Sequence, residues 1–308
     1  MAEVEVQNLV KTYENEKVVA VNKVTFSVNK GELFGLIGPD GAGKSSIFRI
    51  LTSLLLPDHG QASVCSFDVK QQYKEIRKRV GYMPGRFSLY QDLSVEENLN
   101  LFASVFKTTV KENYELIRDI YMQLEPFKKR RAGQLSGGMK QKLALCCALI
   151  HRPEVLFLDE PTTGVDPVSR KEFWQILKRL QQNAITILVS TPYMDEAALC
   201  DTIALIDKGE ILKIDSPANI IKQFDKILWA VETNQKHQLL QDLRANAHVA
   251  SCFAFGTKIH CVITNGRFNT EELKKYLENK GHSDIGIDRI EAAIEDCFIQ
   301  LMQEEKLS

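Results

Sequence analysis

Nine consecutive residues, Gly38, Pro39, Asp40, Gly41, Ala42, Gly43, Lys44, Ser45 and Ser46, combine glycines, a lysine and hydroxyls at the spacing GxxxxGK[ST]. The apolar run Glu32-Leu-Phe-Gly-Leu-Ile37 precedes them and reads as a buried strand, while apolar residues at helical spacing follow from Ile47. Strand, glycine turn and helix together make an anion cradle. Gly38, Gly41 and Gly43 let successive backbone N–H groups point inward, and the helix N-terminus adds partial positive charge. In such a cradle Lys44 reaches terminal phosphates and the Ser45 hydroxyl ligates Mg²⁺. Without those flanking elements the run would read as a flexible surface loop. Further along, Val155-Leu-Phe-Leu158 is continuously apolar, as in a strand buried on both faces of a parallel sheet, and it ends in Asp159 and Glu160. Ligands bind at that end of such strands. Asp159 is thereby placed to reach a metal opposite Ser45, and Glu160 to polarise an attacking water as a general base. The competing reading of the two carboxylates is a helix cap or turn.

Composition narrows the field. The 308 residues give room for one large domain and a small one. A formal net charge of −1 supplies no basic field for nucleic acid. Seven cysteines show no CxxC pair and no zinc spacing, which suits a reducing cytosol, and Cys146 and Cys147 read as core thiols. The acidic start, Met1-Ala-Glu-Val, has no apolar signal region, and no apolar run approaches the ~20 residues that span a bilayer. A cytoplasmic chain is expected.

The supporting elements follow from periodicity. Residues 3–9 and 18–28 alternate as strands and are expected to form an antiparallel edge beside the cradle strand. Residues 61–67 and 80–84 are short strands about a basic helix at 73–79. From 87 to 150 the pattern turns helical, with Ser94 and Glu97 at capping-box spacing, so residues 86–150 read as a helical insert. A helix at 168–182, a buried strand at 184–190 and a hairpin about Lys208-Gly209 complete the domain. Tyr13 is either a half-exposed strand aromatic or a stacking platform for a purine.

Together with Leu135-Ser-Gly-Gly-Met139 and Gly164-Val-Asp166, in that order, these residues resemble the ATPase subunit of ATP-binding cassette (ABC) transporters over roughly residues 3–225. The signature Leu135, Ser136, Gly137, Gly138 is nearly diagnostic. The resemblance implies an α/β P-loop NTPase core, with a mostly parallel sheet and an antiparallel β edge, that binds ATP and Mg²⁺. It places Tyr13 on the adenine, Ser45 and Asp159 on the metal, Glu160 as catalytic base, and Gly164 and Asp166 in a loop touching a partner cassette. The signature would hold the γ-phosphate of ATP in an opposing cassette, since the family works as a head-to-tail dimer. A second anion nest at a helix start agrees with that arrangement.

The departures from the pattern carry equal weight. Gly85, followed by Arg86, stands where the family has a glutamine that touches metal and water. Pro192 stands where a histidine holds the γ-phosphate. Asp40 replaces an asparagine, and a carboxylate ~6 Å from a phosphate charge costs about 3 kcal/mol at an effective dielectric of ~20, much of it offset by Lys44 and Mg²⁺. The expectation is a site that binds Mg-ATP but turns it over slowly. Its signature would complete a competent site on another cassette, with a heterodimer preferred to a homodimer in which Arg86 or local backbone compensates.

From residue 226 to 308 the composition shifts. Strands at 226–232, 250–255, 258–264 and 283–288 alternate with helices at 235–244, 270–280 and 291–304, as in a small ferredoxin-like α+β accessory domain. Ile294-Glu-Asp-Cys-Phe-Ile299 is similar to the endings of exporter-type cassettes of the drug and polysaccharide branch. His248, His260 and His282 are read as surface residues. The implied function is an ATP-binding subunit, peripheral on the inner face of the membrane, that drives export through a separate membrane-spanning subunit docked near residues 86–106, where Phe87, Leu89, Tyr90 and Leu93 are apolar. The alternative is a non-hydrolysing, ATP-gated regulatory or scaffolding cassette. Substrate identity and direction of transport lie outside the sequence.

Overall fold

The computed structural model describes residues 2–13, 17–264 and 268–305. The chain divides into two compact units, Met1–Pro217 and Ala218–Ser308. This division falls earlier than the compositional shift at residues 225 and 226.

In the first unit, β1 (Ala2–Tyr13) and β2 (Val18–Asn29) alternate as their sequence does. Val4, Val6 and Leu9 of β1 face inward with Val24, Phe26 and Val28 of β2. β3 (Leu33–Ile37) is buried at every position and leads through the glycine turn into α1 (Lys44–Leu51). Next come β4 (His59–Val64), β5 (Phe67–Asp68), α2 (Tyr73–Arg79) and β6 (Val80–Met83). The helical insert holds α3 (Val95–Val105), α4 (Tyr114–Tyr121) and α5 (Gly137–Leu149). Ser94 and Glu97 close a reciprocal capping box at the start of α3. β7 (Val155–Asp159), α6 (Pro167–Gln182), β8 (Thr186–Thr191), α7 (Met194–Ala197), β9 (Thr202–Asp207) and β10 (Glu210–Asp215) complete the unit.

These strands make two sheets. A six-stranded one runs β10-β9-β3-β8-β7-β6, and a four-stranded one runs β2-β1-β4-β5. β3 pairs in parallel with both β8 and β9, so neither of its edges is free for β1 or β2. The antiparallel strands therefore form their own sheet instead of flanking the cradle strand. The antiparallel edge of the main sheet is β10 on β9. An alternating strand buries one face only, and here that face packs across α1 onto the main sheet. Phe26 stacks on Phe34 at 5.3 Å, and Phe48 of α1 meets Phe157 of β7 edge-on at 5.6 Å. Cys146 and Cys147 are buried in α5, and burial pushes both thiols up. No helix among the described residues is long and apolar enough to cross a membrane.

α8 (Pro217–Lys222) leads into the second unit: β11 (Ile227–Glu232), α9 (Lys236–Ala245), β12 (Val249–Phe255), β13 (Lys258–Ile263), α10 (Thr270–Asn279), β14 (Gly286–Arg289) and α11 (Ile294–Glu305). Its antiparallel sheet has the order β12-β13-β11-β14, a split βαβ arrangement. Trp229, Leu239, Ile259, Leu273 and Leu277 form its core. Two of the three histidines read as surface residues are not so placed. The His282 side chain is fully buried with Nε2 2.9 Å from Asp242, and half-buried His260 lies 2.8 Å from Asp296. Only His248 is exposed.

The C-terminal end of β1 is tied down by Asp58. Its carboxylate accepts from Lys11 Nζ at 2.7 Å and from the Thr12 backbone N–H at 2.6 Å, and these bonds hold its pKa down at about 2 against an ordinary 3.8. A depressed carboxylate pKa contributes stability above the unfolded value and loses it as pH falls through the folded value. Asp58→Asn should therefore leave a stability gap that is full above about pH 4 and closes toward about pH 2. Denaturant titrations of both proteins across that range check it, and a gap indifferent to pH would contradict the ion pair. Phe48→Ala should lower the unfolding free energy by about 3–5 kcal/mol, read from urea curves. A loss under about 1 kcal/mol would show that the two sheets do not share this core.

Candidate active site

The turn after β3 has the geometry that its glycines permit. Gly41 and Gly43 have φ of 81° and 99°, in the left-handed region. A Cβ on Gly43 would lie 2.1 Å from the Ala20 carbonyl, and one on Gly38 2.1 Å from that of Ile206. The loop is thus pressed against β2 on one side and β9 on the other, leaving room for hydrogen only. Ala42 is buried and its carbonyl accepts from Gly209 N–H at 3.1 Å. Asp40 is exposed and makes no ion pair among the described residues.

Lys44 is 3% exposed, and its ammonium donates to the carbonyls of Gly38 and Pro39 at 2.8 and 2.9 Å. Its third neighbour is the Glu160 carboxylate at 3.4 Å. A buried cation satisfied by backbone carbonyls and one carboxylate is the arrangement a phosphate oxygen can enter by exchange. The Ser45 hydroxyl, in the first turn of α1, makes no hydrogen bond among the described residues, and Ser46 Oγ lies 3.0 Å from the Tyr13 hydroxyl. Tyr13 is therefore attached to the cradle, half-buried at the end of β1.

The carboxylates at the end of β7 converge on the same place. Asp159 is buried, and one of its oxygens accepts from Ser190 Oγ at 2.5 Å. Glu160 adopts a φ of 49°, a left-handed conformation that costs a non-glycine residue roughly 1–2 kcal/mol. Its N–H is fixed by the Ser190 carbonyl at 3.0 Å and Oγ at 3.1 Å. Ser190 thus holds the Asp159 carboxylate and the Glu160 main chain. No motif pointed to it, although a serine ending the apolar strand Ile185-Thr-Ile-Leu-Val189 was a legible signal. The Ser45 hydroxyl and the second oxygen of Asp159 are oxygen donors without a hydrogen bond among the described residues, the donor type that Mg²⁺ takes.

Gly85 comes to the same strand end. An added Cβ would sit 3.1 Å from the Asp159 carbonyl and 3.8 Å from Glu160 Cβ. The backbone at Gly85 therefore passes beside the main chain of Asp159 and Glu160 and carries no side chain there. Pro192 follows Thr191, whose hydroxyl donates to buried Glu196 at 2.6 Å; Thr162 donates to the same carboxylate at 2.7 Å. This clamp joins the turn after β8 to the turn after β7.

The second glycine motif lies apart from the cradle in its contacts. Ser136 caps α5, accepting from Met139 N–H. An added Cβ on Gly138 would meet Ser169 Oγ at 2.7 Å, and one on Gly137 the Gly164 carbonyl at 3.5 Å. Leu135, Ser136, Gly137 and Gly138 are thus packed beside Gly164 and Asp166, the latter capping α6 through Ser169 N–H at 3.0 Å. Among the described residues no hydrogen bond or ion pair joins the signature to Lys44 or Glu160.

Residues 21–163 match the family model described as ABC transporter. The probable multidrug ABC transporter ATP-binding protein YbhF of Escherichia coli is 39% identical over 222 residues, 71% of this chain; the chain spans only 38% of that relative's length. The Nod factor export ATP-binding protein I of Burkholderia orbicola is 38% identical over 225 residues, covering 72% of this chain and 73% of the relative. Among solved structures, the dimeric post-hydrolysis form of the ATP-binding cassette MJ0796, bound to ADP and Pi, superposes with a TM-score of 0.62 at 25% identity, over 69% of this chain and 98% of that one. With the cradle, the carboxylate strand and the signature all inside the matched stretch, the chain belongs to the ABC transporter family of ATP-binding proteins.

Proposed function

We propose that this chain is the ATP-binding subunit of an exporter, coupling ATP binding and hydrolysis to a separate membrane subunit, and that its own site hydrolyses ATP slowly. The observation that carries the reading is Lys44 held between two loop carbonyls and Glu160, with Gly85 lying against the main-chain carbonyl of Asp159 and bringing no side chain of its own. In this reading Gly38, Pro39, Asp40, Gly41, Ala42, Gly43, Ser45 and Ser46 wrap the phosphates and Tyr13 supports the base. On binding, Lys44 exchanges Glu160 for a phosphate oxygen, and the released carboxylate takes the proton of the attacking water. Mg²⁺, when bound by Ser45 and Asp159, supplies neutralisation of phosphate charge. Positioning dominates phosphoryl transfer, so the lack of side-chain reach at Gly85 and of an imidazole at Pro192 slows the step while leaving binding intact.

The signature argues for a second cassette. Ser136, Gly137 and Gly138, with Gly164 and Asp166, offer their nest to an ATP held by a partner, and a partner with a complete site makes the pair asymmetric. Export is supported by the likeness to the Nod factor export protein, and transport by the likeness to the probable multidrug transporter protein YbhF. Docking to a membrane subunit, and with it a peripheral place on the inner face of the membrane, is supported by an apolar groove of about 360 Å³ lined by Met83, Leu89, Phe102, Val105 and Phe106. Leu54 and Val105 at its margin are 58% and 66% exposed. Of the four apolar residues singled out in the sequence, only Leu89 borders it. Gly85 and Pro192 would equally suit a non-hydrolysing clamp; Glu160, turned toward Lys44 at a cost in backbone conformation, favours the hydrolytic reading.

The full chain should bind Mg-ATP, and Lys44→Ala should weaken that binding at least about tenfold, ~1.4 kcal/mol. Hydrolysis by the chain alone should be slow and fall less than about tenfold with Glu160→Gln. Adding a cassette with a complete site should restore a rate that depends on the added cassette's own glutamate. Rapid turnover by the chain alone that is abolished by Glu160→Gln would overturn the asymmetric pair and establish a competent homodimer.

A further inference from the structure

Away from the nucleotide cradle, one face of α6 and the turn around α7 enclose an open groove of about 810 Å³. Its α6 wall presents Pro167, Arg170, Lys171, Trp174 and Lys178, a single helical stripe about 16 Å long at ~1.5 Å per residue. Leu199, 40% exposed, faces it from beyond α7. Two of the buried donors that lack a hydrogen-bond partner belong to this wall: Trp174 Nε1, on a residue 3% exposed, and Arg170 Nε. Buried polar groups in native structures are almost always paired, so two orphans on one groove mark a place completed by something else. The Arg170 guanidinium rests on the Tyr193 ring at 4.3 Å, and its nearest carboxylates, Asp195 and Glu196, stand at 3.6 and 3.7 Å, beyond hydrogen-bond length. Lys171 is exposed and has no ion pair among the described residues. Lys178 and Arg179 hold exposed partners, Asp201 at 3.1 Å and Asp119 at 3.3 Å, which cost little to exchange.

We infer that this groove docks an acidic amphipathic helix of a partner protein. The length of the stripe suits a chain segment better than a compact ligand. Its charge decides the occupant's chemistry: basic groups at Lys171 and at Lys178 with Arg179 are two helical turns apart on α6, outnumbering the lining carboxylates Asp195 and Glu196, and Leu199 supplies the exposed apolar contact while Trp174, between the basic groups on the helix, is almost wholly buried. A helix carrying carboxylates seven residues apart and an apolar residue between them matches that order, and it would draw Arg170 away from its long contacts. The groove also bears on the catalytic end of the molecule. Arg170 touches Tyr193 and Glu196, and Glu196 holds the turns that follow both β7 and β8.

The test needs no nucleotide, so its failure is separable from failure of the ATPase reading. Two labelled helix-forming peptides with identical leucines, one with glutamate and one with lysine at the polar positions, are titrated against the full chain by fluorescence anisotropy. The glutamate peptide should saturate and bind at least tenfold tighter than the lysine peptide. Lys171→Glu should weaken it at least fivefold with melting temperature and ATP binding unchanged, and Trp174→Phe should weaken it as well. Equal binding of the two peptides, no saturable binding, or indifference to Lys171→Glu would each overturn the assignment. So would displacement by citrate with an affinity matching the peptide's, which would make the groove a small-anion site.

Discussion

The structure of the first unit depends on keeping one ammonium group dry. Lys44 is almost wholly out of solvent, and a buried charge is tolerated only when it is closely paired. The pairing comes from two carbonyls of its own loop and from Glu160. Those carbonyls can turn inward only because the loop passes through left-handed conformations, and the loop can lie where it does only because Gly38 and Gly43 have no Cβ to strike β9 and β2. The order of the main sheet follows from the same demand. β3 delivers the loop, β7 delivers Glu160, and β8 stands between them with Ser190 fixing the Asp159 carboxylate and the Glu160 backbone N–H.

Behind this site is a second polar layer that the motifs do not announce. Glu196, buried, ties Thr162 and Thr191 together and lies near Arg170. Paired in this way, its carboxylate holds the turns that follow β7 and β8 in register with each other. An apolar residue there would leave two buried threonine hydroxyls without an acceptor.

Much of this was legible from the residue types alone, where the chemistry is local. A glycine cradle before a helix and two carboxylates after an apolar strand declare themselves because each demand is met by neighbours in sequence. The capping box at Ser94 and Glu97 was readable for the same reason. Alternation in β1 and β2 tells that one face is buried but not against what, so their membership in a separate sheet was hidden until the pairing of β3 was known. The burial of His282 depends on Asp242, far away in the chain. Ser190 and Glu196 acquire their roles only when three strand ends meet, and the two grooves exist only between elements. The closeness of Gly85 to the Asp159 carbonyl likewise depends on two strands meeting, and no local pattern declares it.

The position of β6 has a mechanical meaning. With β10 it is one of the two outermost strands of the main sheet, joined by a ladder to β7 alone, whereas β3 is laddered on both sides. Sliding β3 would break two ladders and the cradle with them; sliding β6 strains one. Gly85 and the helical insert both follow from β6 along the chain, so a singly laddered strand leads into both the apolar groove and the end of β7. A push on that strand displaces the Gly85 backbone against the main-chain carbonyl of Asp159. The site would register a neighbour's movement through the spacing of strands.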